Sequence, residues 1–354
     1  MILTLAKWLS GILVFVVAAV MVFGAWVTRP LHDETLEGDP LASVTLASIS
    51  EALTLARSES GVLLLVVGAD ATGIHAVDVA AASGRDSLVD AIDAFDALGR
   101  EGLQALARAE TKHHAWTDLQ IPIAEHYPHI AAGTNFKAHA DEVGHDGEPF
   151  LFPKLSHATA WNADVAAVGR MDHEVELCAA LLTDHSEESP AQLGYLLCGD
   201  FTDRWSLVQN IDLDGPMGTT GFPDAKGGAT RLPVGPFLVI PNEPNAWKSF
   251  ELSLYVNGQM RQRASAGLMI WSPEEILRRA LADCETPYRV GERTVHLAGC
   301  DRIDTGTILL TGTPEGVLFH PATIWNPRAY LREGDVVTSM GTYLGVMKNV
   351  VRDP

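Results

Sequence analysis

The sequence predicts a mixed, mostly β fold that carries a small α+β domain and a transmembrane helix at its amino-terminal side. Three observations lead to this prediction. From residue 129 onward, short apolar runs alternate with Gly, Pro and Asp at intervals of about 8 to 15 residues, a pattern typical of β domains. Residues 41–115 instead combine two candidate strands with a longer helical pattern. Residues 8–27 contain no charged side chain.

The uncharged run over residues 8–27 is the first element in chain order. A helix rises about 1.5 Å per residue, so this run matches a hydrocarbon core roughly 30 Å thick. It predicts a membrane anchor within residues 1–30, and a cleaved signal sequence is the alternative. Lys7 and Arg29 flank the run, and the free amino terminus favours a cytoplasmic start. We therefore expect a membrane-anchored protein with a periplasmic or extracytoplasmic body; a cytoplasmic-facing or secreted body is the alternative.

The second predicted unit is a small α+β domain over residues 31–115. Its candidate strands are GVLLLVVG at 61–68 and GIHAVDVA at 73–80. Residues 86–109 have helical spacing, with apolar side chains at Leu88, Ile92, Phe95, Leu98, Leu103 and Leu106. No residue in this unit has a spacing that indicates catalysis.

The third predicted unit, residues 116–354, is the main body. Its candidate strands include HIAAGTNF, EPFLFPKL, VELCAALL, LGYLLCGDF, VGPFLVIP, ELSLYVNG, TILLTGTP and DVVTSMG. The clearest helix is SPEEILRRALAD at 272–283, because Ser272 can cap it, Pro273 suits the first position and two glutamates follow.

Charge and cysteine content limit the functions to consider. The chain has 25 Lys and Arg against 45 Asp and Glu, and a net charge of −20 makes nucleic acid an unlikely partner because phosphates would be repelled. The four cysteines lack CxxC spacing, which argues against a zinc ribbon or thioredoxin-like site. Cys284 and Cys300 could close a loop by a disulfide in an exported protein, or all four could be buried thiols.

Three acidic residues lie at or beside two apolar runs. Glu174 and Glu176 are two apart, so a strand would direct both carboxylates the same way, and Asp200 ends the next apolar run. Two such glutamates could simply line the solvent-facing side of a sheet. Together with Asp200, they would instead suit a hard divalent cation such as Mg²⁺ or Mn²⁺. Arg204 follows four residues after Asp200, within reach of a substrate carboxylate.

Two further segments contain candidate functional groups. His139 and Glu142 would share one face of a helix, so the carboxylate could orient the imidazole, although such a pair is common by chance. In TGTPEGV, backbone amides between Gly312 and Gly316 and the Thr313 hydroxyl could face an anionic ligand, or the segment could be an ordinary turn.

These stretches in this order resemble the fumarylacetoacetate hydrolase family, in its acylpyruvase-like subgroup, over residues from about 129 to 350. The matching stretches are GTNFKAHADE, EPFLFPK, HEVEL, GYLLCGDFTDR, KGGATRLP, ILLTGTPEGV and YLREGDVV. The resemblance implies a twisted β-sandwich or β-roll catalytic domain, usually a homodimer, that uses Mg²⁺ or Mn²⁺ and a small-molecule 2-oxo acid substrate.

The resemblance also implies roles for individual residues. The metal ligands would be Glu174, Glu176 and Asp200; the catalytic residues would be His139 and Glu142, on a lid that orders with substrate, and Lys226; the substrate-binding residues would be Arg204, Gly312 and Thr313. An earlier Asp ligand of larger members is absent near Ala132, which favours three carboxylates. The family's Arg-Asp-x-Gln is Arg-Trp-Ser-Leu at 204–207, so a polar substrate contact is lost or moves to Gln209. Leu155 follows Lys154 where Pro is usual.

The activity expected from these parts is metal-dependent hydrolysis of a C–C bond in an acylpyruvate-like or other β-diketo acid. The alternative is a lyase of the same family: a 2-keto-3-deoxy sugar acid dehydratase, an oxaloacetate decarboxylase, or a hydratase or isomerase. A membrane-tethered binding protein without turnover is a third hypothesis, which the intact set of charged groups disfavours.

Overall fold

The computed structural model describes residues 8, 11–12, 14–19, 22–23, 29–85, 87–321 and 323–354. The strands, in chain order, are β1 Ala52–Ser58, β2 Leu63–Asp70, β3 Gly73–Asp78, β4 Lys112–Ala115, β5 Leu119–Gln120, β6 His129–Gly133, β7 Phe150–Lys154, β8 Ala158–Thr159, β9 Val165–Ala166, β10 Met171–Asp172, β11 Val175–Leu181, β12 Leu193–Gly199, β13 Thr202–Asp203, β14 Leu232–Pro233, β15 Leu238–Pro241, β16 Glu251–Val256, β17 Gln259–Ser265, β18 Tyr288–Val290, β19 Arg293–Val295, β20 Ile308–Leu310, β21 Val336–Gly341 and β22 Gly345–Arg352. The α-helices are α1 Val79–Ser83, α2 Ala91–Leu106, α3 Lys137–Val143, α4 Arg204–Asn210, α5 Phe222–Ala225 and α6 Pro273–Ala282, and 3-10 turns occur at Pro40–Ser43, Trp116–Asp118, Ala246–Ser249, Ala266–Leu268 and Pro327–Ala329.

A large sheet forms the centre of the molecule. Its strand order is β4-β3-β2-β1-β15-β12-β11-β20-β6-β7, and β5 also pairs with β1. Neighbouring strands are antiparallel except β20 and β6, which are parallel. Every residue of β11 is buried, which explains its continuous apolar run from Leu177 to Leu181, because a strand covered on both faces has no solvent side.

A second sheet packs on the first. Its order is β17-β16-β21-β22-β9, and β16, β21 and β22 contact β11 or β12 of the large sheet. The two sheets enclose one continuous core, so the predicted mostly β, mixed fold is confirmed. Strand β1 from the amino-terminal part pairs with β15 of the main body. The domain boundaries at 1–30, 31–115 and 116–354 stay predictions.

One predicted helix forms where the sequence placed it and another is displaced, whereas α1, α4 and α5 were not predicted, and α1 begins within the candidate strand at 73–80. Helix α6 begins after Ser272, whose hydroxyl accepts a hydrogen bond from the Glu275 amide at 3.2 Å, as predicted. The helix expected over 86–109 instead spans Ala91–Leu106, because Asp90 accepts from the Asp93 amide at 2.9 Å and caps it there. Gly99, with φ of 63°, interrupts this helix. Asp86 lies outside the described residues.

The predicted membrane anchor is not supported. Residues 14–19 are helical, but within the described part of the chain no helix combines the length and apolar character needed to cross a bilayer. Within the proposed span, residues 9–10, 13, 20–21 and 24–27 lie outside the described set. The predicted membrane-anchored localisation is therefore wrong on this finding.

Both cysteine pairs are bonded. Cys284 is bonded to Cys300, which is the pairing considered from the sequence. Cys178 of β11 is bonded to Cys198 of β12, a pairing that the sequence did not predict. The alternative of buried free thiols does not apply to these four residues.

Candidate active site

Three acidic side chains meet where β11 begins and β12 ends. The strands run antiparallel with Glu176 opposite Cys198, so the start of β11 lies beside the loop after β12. The Asp200 amide continues this pairing by donating to the Glu174 carbonyl at 3.0 Å. One carboxylate oxygen from each of Glu174, Glu176 and Asp200 lies within 4.8 Å of the others, and all three side chains are buried. This cluster could hold a metal ion.

Glu176 is the member of this cluster whose ionisation is most strongly opposed. Burial, and then the carboxylates of Asp200 and Glu174, raise the pKa of Glu176 well above its usual range. The Gly312 amide donates to Glu176 Oε2 at 2.7 Å but does not offset these effects. A buried carboxyl in this state is stabilised when an added positive charge allows it to ionise. The donor set therefore fits a hard divalent cation.

Two buried cations approach the cluster from the cavity side. Lys226 Nζ donates to Glu174 Oε2 and to Asp200 Oδ2, both at 2.6 Å. Arg204 Nη2 donates to Glu174 Oε1 at 2.5 Å. Burial opposes the charge of Lys226, but Asp200 and Glu174 outweigh it and raise the pKa of this ammonium. Burial likewise opposes ionisation of Glu174, yet Lys226 and Arg204 hold the pKa of that carboxyl below its usual range.

Asp172 positions Arg204 and was missed by the sequence interpretation. Its carboxylate accepts from Arg204 Nε at 2.8 Å and from the Leu318 and Phe319 amides at 2.9 and 3.1 Å. Although burial opposes ionisation, Arg204 holds the pKa of Asp172 below its usual range. The sequence did contain a signal for Asp172: it lies two residues before Glu174, the same spacing that separates Glu174 from Glu176.

Lys154 supports the cluster from behind. Its ammonium donates to Asp200 Oδ1 at 2.6 Å and to the carbonyls of Lys226 and Arg231 at 2.7 and 2.9 Å. Burial lowers the pKa of Lys154 to about 8. The sequence singled out this lysine only through the unusual Leu155 after it, because nothing local indicates a contact 46 residues away.

The predicted His–Glu pair lies on α3. His139 Nδ1 is 3.2 Å from Glu142 Oε2, and the Gly316 amide donates to both oxygens of that carboxylate at 3.0 and 3.2 Å. An ionised carboxylate only accepts, so Nδ1 donates its proton and the Nε2 lone pair remains available. The helix thus positions the histidine, and the loop at Gly316 fixes the glutamate.

The predicted Gly-rich loop follows β20 and is held by the protein itself. The Thr313 hydroxyl donates to the Val175 carbonyl at 2.9 Å and accepts from Gln262 Nε2 at the same distance. Gln262 also donates to the Pro314 carbonyl at 2.7 Å. The Gly312 amide is the one that donates to Glu176 Oε2. A direct substrate role for Gly312 or Thr313 stays a prediction, and Gln262 had no sequence signal.

A cavity of about 480 Å³ opens beside these groups. Of the predicted site residues, it is lined by His139, Glu174, Lys226, Arg204 and Thr313. Glu176, Asp200, Glu142 and Gly312 are not among the described lining residues; Asp200 and Glu142 hydrogen-bond to the lining residues Lys226 and His139. At the departure from the family pattern, Leu207 lines the cavity while Gln209 is exposed and does not, so the polar contact is not moved to Gln209.

Comparisons with known proteins agree with this architecture. The family described as fumarylacetoacetate (FAA) hydrolase C-terminal matches residues 128–352. A 2,4-didehydro-3-deoxy-L-rhamnonate hydrolase of Sphingomonas sp. strain SKA58 is 27% identical over 236 residues, covering 63% of this chain and 73% of its own length. An uncharacterised Pyrococcus abyssi protein is 28% identical over 236 residues, covering 63% of this chain and 88% of its own.

Solved structures share the fold. The fumarylacetoacetate hydrolase of Exiguobacterium antarcticum has a TM-score of 0.61 at 21% identity and covers 86% of this chain and 100% of its own. The maleylpyruvate hydrolase of Sphingobium sp. SYK-6 has a TM-score of 0.56 at 20% identity and covers 85% of this chain and 100% of its own. With the family match over residues 128–352, the chain belongs to the fumarylacetoacetate hydrolase family of enzymes.

Proposed function

We propose that this enzyme hydrolyses the C–C bond of an acylpyruvate-like β-diketo acid and that Glu174, Glu176 and Asp200 hold Mg²⁺ or Mn²⁺. The observation that carries the proposal is the convergence of three buried carboxylate oxygens within 4.8 Å beside a cavity that His139 also lines. A cation held there would supply Lewis-acid stabilisation of negative charge on the 2-oxo acid oxygens. A homodimer is part of the proposal, by resemblance to the family.

His139 is proposed as the general base. Its Nε2 takes a proton from water, whose oxygen bonds to the distal carbonyl carbon. The bond from that carbon to the adjacent methylene then breaks, and its electron pair remains on the pyruvate fragment as an enolate. Return of the proton to the methylene carbon gives pyruvate, and the other product is the carboxylic acid of the acyl group.

Lys226 and Arg204 are proposed to stabilise the negative charge that develops on substrate oxygens. Both line the cavity, both are buried, and each is already oriented by carboxylates of the cluster. A preoriented cation in a buried site stabilises developing charge more strongly than a mobile one in solvent. Glu142 supports the imidazolium that forms at His139.

Product analysis tests the proposal. The full chain is incubated with acetylpyruvate, hexanoylpyruvate, oxaloacetate or a 2-keto-3-deoxy sugar acid, each with Mn²⁺ or with a chelator. We expect equal amounts of pyruvate and carboxylic acid from the acylpyruvates, and only with the cation. Carbon dioxide from oxaloacetate, or dehydration of the sugar acid, without acylpyruvate cleavage would instead identify the lyase alternative.

A further inference from the structure

We infer that the substrate carries an apolar, uncharged acyl tail of several carbons, and that the outer part of the cavity selects for it. This inference rests on the proposed function for its 2-oxo acid end but adds the chemistry of the opposite end. It follows from the uneven distribution of polar and apolar side chains along the cavity.

The charged groups are confined to one end of the cavity. There, Lys226 Nζ lies 5.8 Å from the centre of the Phe152 ring and Arg204 Cζ lies 5.4 Å from that of Phe319. These two rings lie beside the lysine and the arginine of the described lining. A 2-oxo acid group has its cationic partners at this end, so the tail of the molecule must extend away from it.

Aromatic rings form one wall beyond that point. The Phe222 ring of α5 lies 4.8 Å from the Phe150 ring and 5.4 Å from the Phe152 ring, centre to centre. Phe150 and Phe152 alternate with Leu151 on β7, so both face the cavity from the same side of the strand. The wall therefore comes from packed rings whose positions are fixed by regular elements.

Aliphatic side chains form the facing wall and the mouth. Leu207 and Val208 line the cavity from α4, and Leu213 and Met217 line it from the loop that follows. Val208 is 41% exposed and Leu213 is 77% exposed, so the apolar surface continues to the opening. An apolar tail would cover these side chains and remove their surface from water.

Among the described lining residues, the outer part has no lysine or arginine to pair with a second carboxylate. Lys226 and Arg204 lie at the opposite end of the cavity, where Asp200 and Glu174 hold them. His145 Nε2 lies 3.0 Å from the Glu148 carbonyl, and the Thr134 hydroxyl donates to the Gly133 carbonyl. A terminal carboxylate or a polyol in this region would lose hydration without regaining equivalent hydrogen bonds.

Matched ligands test the inference without requiring turnover. Calorimetry on the full chain with Mn²⁺ compares pyruvate, 2-oxooctanoate and 2-oxooctanedioate, which differ in tail length and in a terminal carboxylate. Each buried methylene contributes about fourfold in affinity, and 2-oxooctanoate has about five more than pyruvate, so we expect it to bind on the order of 1,000-fold more tightly. It should also bind at least about 10-fold more tightly than the dioate. Equal affinities, or preference for the dioate, would overturn the inference.

A charge introduced into the wall provides a second test. Val208→Lys should reduce or reverse the preference for 2-oxooctanoate over the dioate, because the new ammonium pairs with the terminal carboxylate. Leu268→Lys is the matched control, since Leu268 is 65% exposed and does not line the cavity, and it should leave the preference unchanged. An unchanged preference in both variants, or an equal change in both, contradicts the inference.

Kinetics separate this inference from the proposed function. Hexanoylpyruvate should be cleaved with a higher kcat/KM than acetylpyruvate or the acylpyruvate whose six-carbon chain ends in a carboxylate. Cleavage of all three with no preference would leave hydrolysis standing and overturn the apolar tail. Binding preference for the apolar ligand without any cleavage would support the tail and overturn hydrolysis.

Discussion

The histidine and the glutamate on α3 are held from two directions. The helix places His139 and Glu142 three residues apart on one face, and the Gly316 amide anchors the carboxylate from the opposite loop. Because His139 is 6% exposed, its ring has little freedom to leave this arrangement. The orientation of the imidazole therefore depends on a contact across 174 residues of sequence.

Replacing His139, the proposed general base, should affect kcat without affecting the affinity for Mn²⁺. His139→Asn should lower kcat by about 10²- to 10⁴-fold, because the variant lacks the group that takes the water proton. Its Mn²⁺ affinity should change by less than about threefold, since the three carboxylates remain. The exposed His75, changed to Asn, is the matched control and should leave both quantities unaltered. Parallel loss of kcat and of Mn²⁺ affinity in His139→Asn would argue for a structural role.

His173 comes directly before Glu174 in the sequence and is buried. We expect it to make the free energy of unfolding fall as the pH becomes acidic. Burial lowers its pKa to about 4 from the ordinary value of 6.5, while Asp172 acts in the opposite direction. The folded state thus binds this proton less readily than the unfolded state. Its contribution to stability is complete above about pH 6.5 and is lost as the pH falls towards 4, up to about 3 kcal/mol.

Urea unfolding between pH 7 and 4 measures this contribution. The free energy of unfolding should fall more steeply for the natural chain than for His173→Asn, because the variant lacks this one titrating group. The exposed His157, changed to Asn, should retain the steep profile. Superimposable profiles for the natural chain and His173→Asn would show that His173 does not contribute.

At the scale of elements, the sequence predicted many of the strands and singled out the three acidic residues that the structure brings together. The spacing of two between Glu174 and Glu176, and the acidic end of the following apolar run, were the local signals for a carboxylate cluster, although they left a solvent-facing row open. The Pro-Glu-Glu start after Ser272 predicted α6 for the same local reasons. Contacts between residues that are close in sequence can be predicted from residue spacing alone.

The remainder depends on contacts between distant segments. Gln262 on β17 holds the loop at Thr313, and Lys154 on β7 holds Asp200, but neither has a local pattern that points to its partner. The disulfide between Cys178 and Cys198 likewise arises from the pairing of β11 with β12. These features require the sheet order, which local periodicity does not define.

The loop after β20 should be sensitive at Gly316. Gly316 has φ of 109°, and a Cβ there would collide with the Arg261 carbonyl. Gly316→Ala should lower the free energy of unfolding by at least about 3 kcal/mol through strain and overpacking. It should also lower kcat by roughly 10- to 100-fold, because Glu142 loses its backbone anchor.

Gly334→Ala is the matched control for this substitution. Gly334 also has positive φ, at 87°, but a Cβ there would meet nothing within 4 Å. Only the conformational cost of about 1 kcal/mol is expected, with unchanged kcat. Urea unfolding and steady-state kinetics give both quantities, and equal effects at the two glycines would contradict the proposed role of the loop.

At the scale of the whole molecule, the negative charge lies mostly outside the buried site. The net charge is −20, and most acidic side chains of the described residues are not buried. Within the cluster, Lys154, Lys226 and Arg204 pair with carboxylates, so the cluster adds little to that charge. Because burial and the neighbouring carboxylates raise the pKa of Glu176, the folded protein without a cation binds this proton more tightly than the unfolded chain does. That arrangement is most stable below the ordinary pKa of 4.5 and loses stability as the pH rises through the raised value.

Cation removal should therefore cost more stability at higher pH. At 100 times its dissociation constant, Mn²⁺ should stabilise the protein by about 2.7 kcal/mol, which raises Tm by roughly 4 °C. The difference in Tm between the Mn²⁺-loaded and chelated protein should grow from pH 5 to pH 8, because cation binding displaces the Glu176 proton. Differential scanning calorimetry measures it, and a difference that shrinks with rising pH would contradict the assigned ionisation.

Calorimetric titration with Mn²⁺ tests most directly whether Glu174, Glu176 and Asp200 hold one cation. The natural chain should bind one Mn²⁺ per chain, and Glu176→Gln should bind at least about 100-fold more weakly because a charged ligand is lost. Glu148→Gln, at a glutamate whose side chain is 77% exposed, should bind like the natural chain. Equal affinity in the natural chain and Glu176→Gln, or no binding by the natural chain at millimolar Mn²⁺, would contradict the account.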